Sequence, residues 1–303
     1  MESASMTPAE RAFYTAQSAV SDPDEFAKLL ATLPADPRGV VGVVSGLLIH
    51  PVFLERRRVD HPHANGGDAE VRPARELLRR IVERDARPLD VARPYERRVI
   101  GTCRHYALLA ATILRHHGLP SRLRVGFATY FVRGFHEDHW LCEYWEGDTW
   151  RLLDAELDDE AIAKEYALDF PPWDVPRDRF LTAGEAWRAL RRGTIDGKTC
   201  GVSFIPAVRG AWFVGASILR DLAALNKREL LPWDYWGLAR AFSGPGTTIP
   251  PAAAARLDEI AALTAGPATE WQALRVTYQA ADDLRVPPTV LSFPGGKPIE
   301  VPV

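Results

Sequence analysis

Cysteines are few in this sequence, and none of them is spaced for metal binding. Among 303 residues only Cys103, Cys142 and Cys200 occur, and no two of them form a Cys-x-x-Cys pair. A sparse and odd number of cysteines argues against a disulfide framework and favours a reducing compartment. The missing Cys-x-x-Cys spacing argues against a structural zinc site. We therefore expect no disulfides, no bound metal and no cofactor.

Long apolar runs and a strong net charge are also absent. The longest apolar stretch, 40–49, is far shorter than the roughly 20 residues that span a bilayer. The first residues, MESASMTPAERAF, lack the basic start and apolar run of a signal peptide. A formal net charge of −3 gives no general attraction to nucleic acid or to an anionic membrane. We therefore expect a soluble cytoplasmic protein that binds neither.

The chain divides by composition into three ranges. Residues 1–72 are predicted to form an N-terminal helical segment, because Thr7-Pro8 is a helix start signal and the apolar stretch 39–49 favours a helix. Residues 73–160 contain the side chains suited to catalysis, and residues 161–303 are predicted to be mostly helical and to pack on that core. The helices predicted in the last range cover residues 185–192, 212–227, 251–264 and 270–283.

A polar stretch at 55–72 contains the sequence Asp60-His61-Pro62-His63. Two histidines beside an aspartate could hold a metal ion. We favour the simpler interpretation, a solvated loop, because the surrounding residues are polar and contain Asn65-Gly66-Gly67.

The clearest chemical signal is a cysteine at the start of a helix. A helix is predicted at 101–118, with Cys103 in its first turn and Gly118 as its C-terminal stop, which Pro120 follows. A thiol in the first turn lies at the positive end of the helix macrodipole, which lowers its pKa and favours the thiolate. Gly101 lets a substrate backbone approach closely. Cys103 is a candidate nucleophile, and a small buried hydrophobic residue is the alternative interpretation.

A β-hairpin is predicted after this helix. Residues 122–127 alternate between apolar and polar side chains or glycine, which predicts a half-buried strand. Two more strands are predicted at 139–145 and 149–155, joined by a two-residue turn at Gly147-Asp148. If Glu146 pairs with Thr149, His139 and Asp154 become diagonal neighbours on one face. A three-residue turn would instead place them on opposite faces.

His139 and Asp154 are the predicted partners of the thiol. His139 would take the thiol proton and later donate it to the leaving amine, while Asp154 would orient the imidazole ring. Glu143 and Asp158 are alternatives to Asp154. Of the other histidines, His105 is expected to point away on a different side of the helix. His136 is expected to lie in a loop that borders the cleft.

Taken together, these residues resemble the transglutaminase-like superfamily of papain-like thiol enzymes. The nucleophile motif of that family is similar to Gly101-Thr102-Cys103, then Tyr106-Ala107, a leucine-rich helix, Gly118-Leu119-Pro120 and Arg122. The family's histidine strand is similar to the strand of His139, which has an acid, Glu143, four residues later. The family's aspartate strand is similar to the strand of Trp150, which Asp154 follows by four residues. The stretches 173–187 and 226–234 resemble those of bacterial proteins described only as transglutaminase-like.

This resemblance implies an α+β fold, in which a nucleophile helix packs on an antiparallel sheet and further helices lie at both ends of the chain. It implies that Cys103, His139 and Asp154 act as nucleophile, base and orienting acid. Trp140 stands directly after the histidine, one residue earlier than the family's usual tryptophan. Trp140, His136 and Gly101 are predicted to contact the substrate.

Three functions fit these observations. The first is acyl transfer or amide hydrolysis through an acyl-enzyme on Cys103, with a peptide, amide or thioester small molecule as substrate. The second is an amide-forming acyltransferase whose acyl donor is bound to an acyl-carrier protein. The third is a non-catalytic binding module on the same fold. Arginines that could form a docking patch for the carrier are Arg93, Arg97, Arg98 and Arg104.

Overall fold

The computed structural model describes residues 6–157, 160–242, 244–267 and 270–303. Helices account for 44% and strands for 15% of the structure, so the predicted α+β class is confirmed. The α-helices in these ranges are α1 (Pro8–Thr15), α2 (Ala27–Leu30), α3 (Pro37–Leu47), α4 (Pro51–Arg56), α5 (Ala74–Arg84), α6 (Cys103–His116), α7 (Glu160–Glu165), α8 (Ala183–Arg191), α9 (Ala211–Leu225), α10 (Pro251–Thr264) and α11 (Trp271–Ala280). The β-strands are β1 (Leu48–Ile49), β2 (Val99–Ile100), β3 (Ser121–Ala128), β4 (His136–Glu146), β5 (Thr149–Leu153), β6 (Phe180–Thr182), β7 (Cys200–Gly201), β8 (Asp234–Tyr235), β9 (Thr289–Ser292) and β10 (Ile299–Pro302).

The chain forms two compact units. The first comprises Met1–Leu123 and Leu141–Val175, and the second comprises Arg124–Trp140 and Pro176–Val303. Strands β3 and β4 each supply residues to both units. The predicted division at residues 72 and 160 stays a prediction. In the described part of the chain, no helix is long and apolar enough to cross a membrane.

Helix α6 is the buried centre of the first unit. Its residues from Cys103 to Arg115 are all buried, and α3 packs against it. Helix α3 begins after Asp36, whose side chain accepts a hydrogen bond from the Gly39 N–H. The helix predicted at 39–49 is therefore present, but its last two residues form β1 instead. Strand β1 pairs in parallel with β2, which leads directly into the start of α6.

The hairpin of β4 and β5 has the register that the sequence predicts. Glu146 pairs with Thr149, and the pairing continues to Cys142 and Leu153. Both turn residues have positive φ, 54° at Gly147 and 64° at Asp148. Positive φ at both positions is typical of the type I′ turn that joins strands across two residues. The predicted two-residue turn is confirmed.

The strand predicted at 122–127 is present as β3, but the expectation that it is half-buried is wrong, because every residue of β3 is buried. In the first unit, Arg122 and Glu143 are both 0% exposed, and the Nε of Arg122 donates to Oε2 of Glu143 at 2.6 Å. The guanidinium also lies 3.9 Å from the ring centroid of Trp150. A buried arginine is tolerated when a carboxylate pairs with it, so alternation with arginine did not mean exposure.

The second unit contains a helical layer and a separate small sheet. Helices α8, α9 and α10 pack against one another. Helix α9 is buried on every side, as expected for a predominantly apolar helix. Its Asp221 accepts two hydrogen bonds from Arg124, each at 3.0 Å, and both side chains are 0% exposed. In this unit β6 pairs with β3 and β7 pairs with β4, while the small sheet has the order β10-β9-β8.

Candidate active site

Cys103 is the first residue of α6, and only 7% of it is exposed. The residue before it, Thr102, has the extended conformation of a helix N-cap. Gly101 donates its N–H to the carbonyl oxygen of Ile49 at 3.0 Å, which continues the β1–β2 pairing up to the helix. The prediction that Cys103 lies in the first turn of a helix is confirmed, although the helix begins at Cys103 and not at Gly101. The thiol therefore lies where the macrodipole stabilises negative charge.

His105 holds the start of this helix in place. Its Nδ1 accepts the N–H of Thr102 at 3.0 Å, and its Nε2 lies 2.9 Å from the carbonyl oxygen of Val71. Since a carbonyl can only accept, Nε2 carries the proton and the ring is neutral. Complete burial, aided by the charge of Arg104, lowers the pKa of His105 to about 3. His105 is therefore a positioning residue rather than a base.

The packing of His105 also explains the glycine before the cysteine. A Cβ at Gly101 would lie 2.9 Å from the Cβ of His105, closer than two such atoms approach. Glycine is needed here for packing inside the protein. The predicted contact between Gly101 and a substrate stays a prediction.

Asp68 fixes the chain just before Cys103 by binding Ile100 of β2. No sequence motif singled out this residue. The carboxylate is 2% exposed, and its Oδ2 accepts the N–H of Ile100 at 3.0 Å. Its Oδ1 accepts from Arg80 and Arg84, each at 2.7 Å. The side chain therefore joins β2 to α5. The sequence predicts a solvated loop here, because the buried ion pairs of Asp68 have no local sequence signal.

Asp154 lies directly after β5 in the first unit and is 2% exposed. Its N–H donates to the carbonyl oxygen of Pro172 at 2.7 Å. Its Oδ1 accepts the N–H of Glu156 at 3.1 Å, which closes a turn of the kind aspartate favours. The backbone on both sides of the carboxylate is thereby fixed. Its predicted role beside a histidine stays a prediction.

Of the two alternatives to Asp154, the structure describes only Glu143. Glu143 is engaged with Arg122 inside the first unit, so its charge already balances a buried guanidinium. If Glu143 oriented a histidine instead, the guanidinium of Arg122 would be buried without its carboxylate, which would destabilise the fold. Asp158 lies outside the described residues.

His139 lies on β4 in the second unit and is 3% exposed. The rings of Phe131 and Tyr130 meet the imidazole edge to face, with centroids 4.9 Å and 6.0 Å away. Such contacts are favourable and restrict rotation of the ring. No sequence motif singled out these two residues, although they form an aromatic pair that begins three residues after the strand predicted at 122–127. Next to His139, burial raises the pKa of Asp138 to about 7, against the effect of the Arg220 charge.

His136 and Trp140 lie on the same strand but in different surroundings. His136 is half-buried, and its Nδ1 is 3.4 Å from the Oγ1 of Thr199. It begins β4 rather than lying in the loop that was expected. Trp140 is 1% exposed, and its indole N–H has no acceptor in the part of the chain that the structure describes. Contact of either residue with a substrate stays a prediction.

The segment that contains these residues matches a known family model. Residues 75–155 match the family model of the transglutaminase-like superfamily. The resemblance is confirmed over this segment. It covers about a quarter of the chain and includes Cys103, His139 and Asp154. No curated protein and no solved structure matches the chain. Because the superfamily generally contains cysteine enzymes, the match relates this segment to thiol chemistry without naming a reaction.

Two of the four arginines considered as a carrier docking patch are internal. Arg93 is 2% exposed and donates to the carbonyl oxygens of four loop residues between Asp85 and Val91. Arg104 is 0% exposed. Arg98 is half-buried and donates to the carbonyl of Ser45. A docking patch that includes Arg93 and Arg104 is therefore wrong, because these side chains serve as internal hydrogen-bond donors.

The first histidine of the His-x-His sequence has an internal role, while the second is exposed. Among the residues that the structure describes, no group of three or more histidine, cysteine, aspartate or glutamate side chains could hold a metal ion. His61 is 5% exposed, and its Nε2 lies 2.9 Å from the carbonyl oxygen of Arg98. Its Nδ1 accepts the N–H of His63 at 3.2 Å. Both ring nitrogens therefore bind backbone groups of the first unit.

Proposed function

We propose that this protein is a cysteine-dependent acyltransferase or amidohydrolase that works through an acyl-enzyme on Cys103. The observation that carries the proposal is the position of Cys103. It is the first residue of a buried 14-residue helix, inside the segment that matches the family model of the transglutaminase-like superfamily. The helix macrodipole favours the thiolate at that position.

In the proposed reaction His139 takes the proton of the Cys103 thiol, and the sulfur attacks the carbonyl carbon of an amide or thioester. The new bond joins sulfur to the acyl carbon, and the carbon–nitrogen or carbon–sulfur bond to the leaving group breaks. The leaving amine or thiol receives the proton from His139. Asp154 stabilises the charged imidazole. Water or an amine then attacks the acyl-enzyme, which releases the product and returns the proton to the thiol.

The other two functions are distinguished by different features. A carrier-bound acyl donor needs an exposed basic docking surface, and the internal positions of Arg93 and Arg104 remove two of its four candidate residues. A non-catalytic binding module would not need a reactive thiol. Reactivity of Cys103 is therefore the property to measure first.

The test is intact-mass analysis after brief, low-dose iodoacetamide treatment at neutral pH. We expect a single alkylation on Cys103, slowed at least about tenfold in His139→Ala, because general bases contribute on the order of a hundredfold or more to such steps. Cys103→Ser should take up no label. Equal and slow labelling of Cys103 in the wild-type protein and His139→Ala would refute an activated thiolate and favour the binding module.

The other two cysteines provide an internal control for this measurement. Burial raises the pKa of Cys142 to about 12 and that of Cys200 to about 11. At neutral pH both thiols are therefore protonated and shielded, and protonated thiols react slowly. A label on either one would report unfolding rather than catalysis. The acyl-enzyme itself is sought as a mass increase after incubation with acyl thioesters and activated amides.

A further inference from the structure

We propose that a cavity in the first unit binds the oxyanion group of a small molecule, a phosphate or a carboxylate. The cavity has a volume of about 440 Å³ and lies between helix α5, the turn at His63 and Gly66, and the chain at Glu96 and Arg97. Its walls carry four guanidinium groups. These belong to Arg79, Arg80, Arg84 and Arg97.

Arg97 is the arginine best placed to accept a ligand. The only hydrogen bond of its side chain within the described residues runs from Nη1 to the carbonyl oxygen of Arg84, and it is long, at 3.4 Å. No carboxylate pairs with it in that part of the chain, and the side chain is exposed. Guanidinium groups form two parallel hydrogen bonds with carboxylate and phosphate oxygens, which is the geometry that Arg97 can still offer.

Arg80 and Arg84 provide further donors on the same wall. Both donate to one oxygen of Asp68, Oδ1, so a single carboxylate oxygen serves two cations. Within the described residues, the Nη2 of Arg80 and the Nε of Arg84 have no hydrogen-bond acceptor. Each guanidinium has five N–H donors, so these groups can bind a ligand oxygen without releasing Asp68.

The remaining charges limit the size of the ligand. Glu83 and Glu96 also line the cavity, and Arg79 is already paired with Glu76 and Glu83. These acids would repel the extended negative charge of a nucleic acid or an anionic membrane. The arrangement therefore fits one compact oxyanion on a small molecule. This binding does not depend on the reaction proposed for Cys103.

Isothermal titration calorimetry of the full chain at low salt tests this site, with sodium phosphate and sodium acetate as the two probes. We expect saturable binding that weakens at least about tenfold in Arg97→Gln, because a charge-assisted pair is lost. Arg188→Gln, which removes an exposed arginine of α8 that does not line the cavity, should leave binding unchanged. Stronger binding of phosphate than of acetate would identify a phosphoryl group, and the reverse a carboxylate.

Absence of saturable heat with both probes would overturn the proposal. Equal weakening in Arg97→Gln and Arg188→Gln would also overturn it, because it would mean general attraction to positive charge. Thermal unfolding followed by circular dichroism checks that both variants are folded. The side chain of Arg97 makes one long hydrogen bond in the described chain, so its replacement is expected to leave the fold intact.

Discussion

Replacing Asp68 with asparagine tests the ion pairs that join α5 to the strand before Cys103. The wild-type carboxylate accepts two guanidinium hydrogen bonds at 2.7 Å and one backbone N–H at 3.0 Å, with its side chain 1% exposed. An uncharged amide can still accept the Ile100 N–H, but its NH₂ group would then replace Oδ1 and face both Arg80 and Arg84. One buried anion is lost, and donors then oppose donors.

The size of the effect follows from the surroundings of the two cations. Removing one partner of a fully buried ion pair costs about 3–5 kcal/mol. Here Arg80 keeps its bond to Glu76, and the side chains of Arg80 and Arg84 are 24% and 11% exposed, so water can solvate part of their charge. We therefore expect Asp68→Asn to lower the free energy of unfolding by about 2–4 kcal/mol.

The assay is urea unfolding at pH 7, followed by tryptophan fluorescence. The matched control is Glu83→Gln, which removes an exposed partner of Arg79 and should change the free energy of unfolding by less than about 0.5 kcal/mol. A loss of less than about 1 kcal/mol in Asp68→Asn would refute the assigned ion pairs, since even one hydrogen bond to a charged group contributes more.

The pH dependence gives a second check. Burial alone would raise the pKa of Asp68, but hydrogen bonds from Arg84, Ile100 and Arg80 lower it below its ordinary value. The stabilisation that the ionised Asp68 carboxylate gives the folded protein is therefore complete above its pKa in the unfolded chain, about 3.9. It is lost as the pH falls through the lower pKa that Asp68 has in the folded protein. The difference between wild type and Asp68→Asn should stay constant from about pH 7 to 5 and shrink below about pH 4. A difference that grew on acidification would contradict the lowered pKa.

Two further variants test the second unit. Asp221→Asn should lower the free energy of unfolding, measured by urea unfolding, by about 3–5 kcal/mol, because Arg124 would remain buried without its carboxylate. A decrease below about 1 kcal/mol would contradict this ion pair. Gly126→Ala should cost about 1–3 kcal/mol, because its Cβ would lie 2.1 Å from the carbonyl oxygen of Leu181 and must push β3 and β6 apart. Hydrogen exchange of the β6 amides should accelerate in Gly126→Ala, and unchanged exchange would count against the close approach.

Sequence patterns were sufficient where the structure depends on near neighbours. Helix α10 has the bounds that were predicted, since Pro251 starts it and its apolar residues have helical spacing. The β4–β5 register followed from the length of one turn. The position of Cys103 at the start of α6 also followed from local residues.

Partners that are distant in sequence could not be predicted in this way. Arg122 pairs with a residue 21 positions away and Arg124 with one 97 positions away, so alternation alone suggested that both were exposed. The small sheet joins Asp234 to Ser292, and nothing local to β8 indicates that pairing. Long-range strand pairing depends on the packing of the whole unit, and the β-propensity of single residues carries no information about that packing.

The candidate site combines contacts that local sequence patterns predict with contacts to distant residues that they do not. Thr102 and His105 have the three-residue spacing of a capping box, so the contact of the His105 ring with the Thr102 N–H had a local signal. The other ring nitrogen binds Val71, and Ile100 is held by Asp68. Both of these partners precede residue 75, where the match to the transglutaminase-like family begins. The start of the nucleophile helix is therefore fixed partly by residues outside the matched segment, and a fragment limited to 75–155 would leave His105 and Ile100 without these bonds. Thiol reactivity is consequently a property to measure on the full chain.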